Sequence, residues 1–242
     1  SVGGPQGVPV TAGLVAAYES GENVSLGAGN VVSGWLDGSG RGNDLVSQGD
    51  PTLVANATPT GQAAIVFDGT GDLLERVNAT DTIFNLPVGN ADRTIFFVVD
   101  YLDTNGRSSG VTYGTSTSNQ TFGLVADGSS GNYGVQGWGG SNDFASATDG
   151  ITPGWAVQSA VLSNNVLSQY LDGGLIDTDT HTFNTTLSKL VLGAHIKGAA
   201  EGEMNIAAVL IYDRALGEAE RQPGGSRSRP AGSLGSTRIR NR

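Results

Sequence analysis

Apolar positions in this chain come in short runs, and the longest lies near the end. From Met204 to Tyr212 only Asn205 is polar. Such a run is long for a strand and short for a helix, and the β-branched Ile206, Val209 and Ile211 favour a strand. A strand with apolar residues on both faces lies between two layers. Asp213 to Leu216 then turns the chain. Leu216 to Arg221 reads as one short charged helical turn, with Glu218 and Glu220 near its start, where the helix dipole favours carboxylates. A central strand is therefore laid down last, onto a two-layer β core built by what precedes it.

The other long apolar run, RTIFFVVDY at 93–101, is the natural neighbour of 204–212. Shorter strand-like runs stand at 13–18, 31–36, 63–67, 73–77, 120–126, 132–137, 155–162, 166–171 and 188–193, separated by Gly, Asn, Asp and Ser clusters. The segment VLSQYLDGG at 166–174 alternates and then turns on Asp172-Gly173, a hairpin signal. Many short strands without helical periodicity predict an all-β fold. The expected architecture is one two-sheet antiparallel β-sandwich of jelly-roll type over about 12–222, with at most short helical turns.

Four segments carry a resemblance. GLVAAY at 13–18, WLDGSGRGNDL at 35–45, AIVFDGTGDLL at 64–74 and IAAVLIYDRALGEAE at 206–220 follow one another in the order seen in bacterial laminin-G-like jelly rolls. The chain thus resembles that branch of the concanavalin A-like lectin/glucanase superfamily, over roughly 13–221. The resemblance implies the sandwich fold. It does not choose a function, because most of these residues build turns and core.

Composition agrees with a turn-rich β domain: 242 residues, 38 Gly and only 15% charged residues. With no Cys, a disulfide framework, a thiolate metal site and a Cys nucleophile are excluded. The net charge of −10 hides an asymmetry. Six of the 13 basic residues are Arg221, Arg227, Arg229, Arg238, Arg240 and Arg242, and no acid lies beyond Glu220. What precedes them sets seven bases against 23 acids, a balance of −16. Such a surface repels phosphate backbones and anionic membranes, and tolerates neutral sugars, divalent cations or cationic polymers. No stretch approaches the roughly 20 apolar residues of a membrane span.

The ends read differently from the middle. Ser1 to Thr11 is Gly/Pro-rich and uncharged, a linker or a cloning remnant, and no basic-then-apolar signal region opens the chain. Residues 223–242, rich in Gly, Ser and Arg, are expected to be disordered. They read as vector-derived sequence or as a native basic arm for an acidic partner.

Between Asp127 and Gly150 lies the best binding candidate, with Tyr133 and Trp138 among glycines and Asn142 and Asp143 close behind. Aromatic rings stack on the CH faces of sugars, while Asn and Asp fix hydroxyls. The competing reading makes Trp138 a plug at the core edge and the glycines tight turns. Trp35 and Trp155 border apolar runs and are expected in the core. Asp37, Asn43 and Asp44 form one oxygen-rich loop, and Asp68 and Asp72 another. Calcium takes six to eight oxygens and is a candidate cofactor there, through Asp37, Asp44, Asp68 and Asp72. The same Asp and Asn beside Gly also stabilise turns unaided.

Catalytic signals are weak. The E-x-D-x-x-E strand of the superfamily's glucanases is absent. Glu201 and Glu203 share a strand face about 7 Å apart, a spacing near those of glycosidases, but solvated glutamates before a buried strand look the same. His181 and His195 are far apart in sequence, with His195 closing a strand that could face a cleft. There is no Gly-rich phosphate loop before a helix. N-x-[ST] matches at Asn23, Asn56, Asn78, Asn119 and Asn184 carry little weight in a chain so rich in Ser, Thr and Asn. These observations lead to a non-catalytic carbohydrate-binding module of a larger, multidomain, secreted bacterial protein, with a polysaccharide or glycan as partner. A structural or protein-interaction module of a cell-surface adhesin is the alternative, and a glycosidase or polysaccharide lyase the third.

Overall fold

The computed structural model describes residues 10–77, 85–103, 107–128, 131–199 and 201–221. The Ser1–Thr11 linker, except for its last two residues, and the 223–242 tail lie outside them. In chain order the strands are β1 (Leu14–Glu19), β2 (Val24–Leu26), β3 (Val32–Trp35), β4 (Leu45–Gln48), β5 (Thr52–Val54), β6 (Ala64–Asp68), β7 (Leu73–Val77), β8 (Arg93–Tyr101) and β9 (Ser108–Gly114). Then come β10 (Thr121–Asp127), β11 (Asn132–Gln136), β12 (Asp143–Gly150), β13 (Ala156–Ser163), β14 (Val166–Leu171), β15 (Gly174–Thr180), β16 (Lys189–Leu192) and β17 (Glu203–Tyr212), followed by the single helical turn α1 (Glu218–Arg221). Among the described residues no helix is long and apolar enough to cross a membrane.

The strands make two antiparallel sheets. One has eight strands in the order β15-β14-β13-β8-β17-β6-β5, with β1 also paired to β17; the other has nine, in the order β12-β11-β10-β9-β16-β7-β4-β3-β2. The predicted neighbours pair directly, Met204 with Tyr101 through to Tyr212 with Thr94. The other edge of β17 is shared. Residues 203–206 pair with β6 and 208–212 with β1. The expected two-sheet sandwich is what forms.

Alternation explains which residues fill the space between the sheets. On β8, Ile95, Phe97, Val99 and Tyr101 are buried inward, and Phe96, Val98 and Asp100 point out. A bulge between Ile206 and Ala208 resets β17, so Met204 and Ile206 before it and Val209 and Ile211 after it all reach the core. Facing them from the nine-stranded sheet are Val111, Tyr113, Phe122, Leu124, Tyr133 and Leu190. The outer face of β17 is covered too: Leu210 and Tyr212 pack with Leu14, Ala17, Phe96 and Leu216. The last central strand is therefore buried on its inner face and half-buried along most of its outer one.

The hairpin at Asp172-Gly173 forms with both residues left-handed, at φ 49° and 84°. Asn23, Asn56 and Asn119, three of the N-x-[ST] positions, also sit in left-handed turns. After β17, Glu220 clamps the chain. Its carboxylate accepts from Arg214 Nη1 (3.0 Å) and Nη2 (2.6 Å) and from the Gly217 N–H (2.9 Å). The Arg214 hydrogen bonds, then that of Gly217, pull the Glu220 carboxyl down to about 2. A depressed carboxyl gives its stabilisation above the ordinary range and loses it as pH falls toward 2. A carbon-detected NMR titration should therefore find Glu220 still ionised at pH 3, and a midpoint near 4.5 would show that the clamp is open in solution.

Candidate functional site

Strands β10, β11 and β12 turn Leu124, Ala126, Tyr133 and Val135 into the core. Alternation sends Val125, Asp127, Gly134 and Ala145 to the opposite, outer face. There they line a depression of about 260 Å³, walled by Arg107, Asp143 and Gly140. Small residues at Gly134 and Ala145 leave the hollow. Its floor is braced from inside the sandwich by Gln158 of β13, whose Nε2 donates to the carbonyls of Val125 (3.2 Å) and Gly134 (3.1 Å).

Arg107 organises the polar wall. Nη2 donates to Asp127 Oδ1 at 2.7 Å and Nη1 to Asp143 Oδ2 at 2.8 Å. Burial pulls this guanidinium down, but the bonds and charges of Asp143 and Asp127 outweigh it and hold it above its ordinary value. Ion pairs in half-buried surroundings are geometrically defined, so the two carboxylates are fixed in direction.

The segment 137–143 adjoins the depression and lends it Gly140 and Asp143. Gly137 has to be glycine, since a Cβ there would stand 2.3 Å from the Asn142 carbonyl oxygen and 2.9 Å from Phe183. Trp138 follows with a left-handed backbone, φ 71°. A bulky residue in that region is unusual and is maintained only by its surroundings. Asp143 Oδ1 accepts the N–H of Gly137 (3.1 Å) and Trp138 (2.9 Å). Asn142 Nδ2 donates to the Trp138 carbonyl and to Ser118 Oγ, each at 3.1 Å. Asn142 and Asp143, singled out in the sequence as hydroxyl-binding residues, are thus brought together with Trp138. Asn142 braces the segment and is buried, whereas Asp143 both braces it and lines the depression.

The Trp138 ring is half-buried, against Leu73, Val191, Ala194 and Ile196. His195 meets it edge-on, with centroids 5.2 Å apart, and Lys197 Nζ lies 5.2 Å over it. Burial pushes the His195 imidazole below its usual value, so the ring is neutral near pH 7. Trp138 is accordingly a partly packed residue covered by a movable lysine, intermediate between an open platform and a plug. Tyr133 belongs elsewhere. It is 4% exposed, and its ring lies inside the sandwich, 6.3 Å from that of Tyr101. It has no face to offer a ligand, because its place on β11 is in phase with Val135.

Of the other tryptophans, Trp35 is fully buried as expected, while Trp155 is only half-buried and donates to the Ala57 carbonyl (3.2 Å). The four carboxylates considered for calcium organise turns. Asp37 accepts from the N–H groups of Ala17, Ser39 and Asn43 and from Ser39 Oγ. Asp44 accepts the Asp37 N–H, Asp72 those of Asp50 and Asp68, and Asp68 that of Thr70. Among the described residues no group of three or more His, Asp or Glu stands close enough to hold a metal ion.

No family model matches the chain, and no curated protein matches it. Solved structures do. Domain 4 of AbnA, a GH43 extracellular arabinanase from Geobacillus stearothermophilus in complex with arabinotriose, superposes with a TM-score of 0.61 at 17% identity, over 86% of this chain and 96% of that one. A mutant of Trypanosoma rangeli sialidase displaying trans-sialidase activity gives 0.62 at 19%, over 87% of this chain but 32% of that one. The binding domain of Paraclostridial Mosquitocidal Protein 1 gives 0.59 at 15%, over 86% and 50%. At these identities the likeness is one of fold. The chain spans about a third of the sialidase it matches.

Arg107 and Asp127 escaped the sequence reading. A signal existed, since Arg107 is one of only seven basic residues ahead of the arginine-rich end. In so acidic a chain such a residue readily finds a carboxylate, but which one is decided by strand pairing.

Proposed function

We propose that this chain is a non-catalytic carbohydrate-binding module of the laminin-G-like type, part of a larger secreted bacterial protein. The observation that carries the reading is the depression over β10–β12, where Arg107, Asp127 and Asp143 are fixed beside a floor of small residues. Few oriented polar groups around a shallow hollow suit a sugar ring, and the Trp138 backbone is tied to one of them, Asp143. The arabinanase domain lends support, since its structure was solved with arabinotriose. Asp127 and Asp143 clasp one guanidinium between them, which fits orienting hydroxyls better than exchanging protons with a substrate.

A glycan array of the chain, run once with calcium and once with chelator, tests both the reading and the calcium expectation. Titration of the best hit should then show Trp138→Ala weakening binding by about 2 kcal/mol, some 30-fold, as stacking and contact area are lost together. The same variant should lose about 1–2 kcal/mol of stability, because part of the ring packs on Leu73, Val191 and Ile196. If no glycan binds, or if Trp138→Ala unfolds the domain, Trp138 is a packing residue and the adhesin-module reading takes over. That second reading is favoured by one observation, the Lys197 side chain lying over the ring.

A further inference from the structure

The groups around the depression also bear on which sugars it accepts. Arg107 is the one basic residue lining it among the described residues, and both of its terminal nitrogens already donate to carboxylates. One guanidinium against Asp127 and Asp143 leaves the wall with a net negative charge. Lys189 is no alternative, being paired with Glu75 at 2.8 Å, and Lys197 lies over Trp138. The chain ahead of Arg221 carries a balance of −16, so the wider field has the same sign.

Hydrogen-bonding capacity points the same way. Asp143 Oδ1 accepts two N–H groups, but Oδ2 accepts only from Arg107, and a carboxylate oxygen has room for two. The depression therefore keeps an acceptor, Asp143 Oδ2, in need of a further donor. Hydroxyl groups donate. Carboxylates and sulfates only accept, and they need a cation that is not already bridged.

We infer that the depression selects neutral, hydroxyl-rich sugars and excludes anionic ones such as uronates, sialylated and sulfated residues. The inference rests on the carbohydrate reading above and narrows it. The test titrates the whole chain with neutral pentose and hexose oligosaccharides, with length-matched oligogalacturonides and with sialylated glycans, at low and at high salt. Neutral sugars should bind at least about tenfold tighter than anionic ones, a like-charge penalty. Raising salt should narrow the gap by helping only the anionic series, since exposed repulsion is screened. Asp127→Asn should weaken neutral binding about tenfold, by losing a charge-assisted hydrogen bond, and strengthen anionic binding by releasing Arg107. A wild-type chain that binds an anionic glycan as tightly as its neutral counterpart overturns the selectivity and leaves the carbohydrate reading standing. A chain that binds nothing in any series overturns both. Should Asp127→Asn lower the melting temperature, the salt dependence of the wild type decides alone, and an anionic series that weakens with salt overturns the inference.

Discussion

Replacing Arg93 by methionine is expected to cost about 3 kcal/mol of folding stability, although it removes a buried charge. Arg93 is fully buried at the start of β8, and each hydrogen bond it makes goes to a neutral oxygen. Nε donates to the Ala91 carbonyl (2.8 Å) and Nη2 to that of Gly89 (2.8 Å). Nη1 serves the Pro87 carbonyl (3.4 Å), Tyr113 Oη (2.8 Å) and Thr185 Oγ1 (3.0 Å). The guanidinium carbon also lies 4.9 Å from the Phe122 ring centre. Two effects oppose each other. Methionine relieves the desolvation of a cation, which costs several kcal/mol. It also strands the acceptors of the 87–91 segment and of Thr185, at about 1–3 kcal/mol for each that water cannot reach. The second should win, because the native bonds have already offset the first. Arg93→Lys should do little better, since three donors on one nitrogen cannot span a fork of acceptors. Urea unfolding would show a lower midpoint with an unchanged slope. A methionine variant as stable as the parent would mean that the arginine is a burden and not a staple.

How much of the fold was legible depended on what each strand buries. Every run picked out by its apolar residues became a strand, and 93–101 and 204–212 became neighbours, because long apolar runs leave few polar gaps to misread. Strands β2, β4, β5, β9, β12 and β15 were not picked out, and β9 and β12 show why. β9, SSGVTYG, is buried throughout, yet only Val111 and Tyr113 are large and apolar. Its outward Ser109 and Thr112 are covered by other parts of the chain, an arrangement that local periodicity does not record. β12, DFASATDG, has Phe144 alone as a large apolar side chain and forms because β11 needs an edge partner.

The site was legible in part, for a related reason. The Trp138, Asn142 and Asp143 cluster could be read because it is local, six residues of one loop tied by their own hydrogen bonds. The glycines around Tyr133 suggest a loop, whereas its period places it in the core. On a strand ending at Gln136 it must share a face with Val135, which is core. Arg107 reaches Asp127 and Asp143 across β9, β10 and β11, a distance in sequence that only the pairing of those strands closes.

Trp35→Ala should have the largest effect of all, about 3–5 kcal/mol, the range for emptying a large aromatic site in a core. Trp35 ends β3 in the nine-stranded sheet and is fully buried. Its indole N–H donates across the sandwich to the Glu19 carbonyl of β1 (3.3 Å), and its ring lies 5.6 Å from that of Tyr18. Tyr18 in turn donates to the Asn43 carbonyl, and Asn43 Nδ2 donates back to Val15 (2.8 Å). Two residues on, Asp37 Oδ1 accepts the Ala17 N–H at 2.9 Å. The segment from Trp35 to Asn43 is thus a clasp holding β1 of one sheet to β3 of the other, and alanine removes its centre. Trp35→Phe should recover more than half the loss, keeping ring contact with Tyr18 but not the bond to Glu19. Measured beside Trp138→Ala, the two tryptophans separate their roles. Trp35→Ala should lower the melting temperature by about 6–20 °C, at roughly 2–4 °C per kcal/mol for a domain of this size, while sugar affinity in the folded fraction stays within a few-fold. A Trp35→Ala chain that melts like the parent would mean that the two sheets are held together without this clasp.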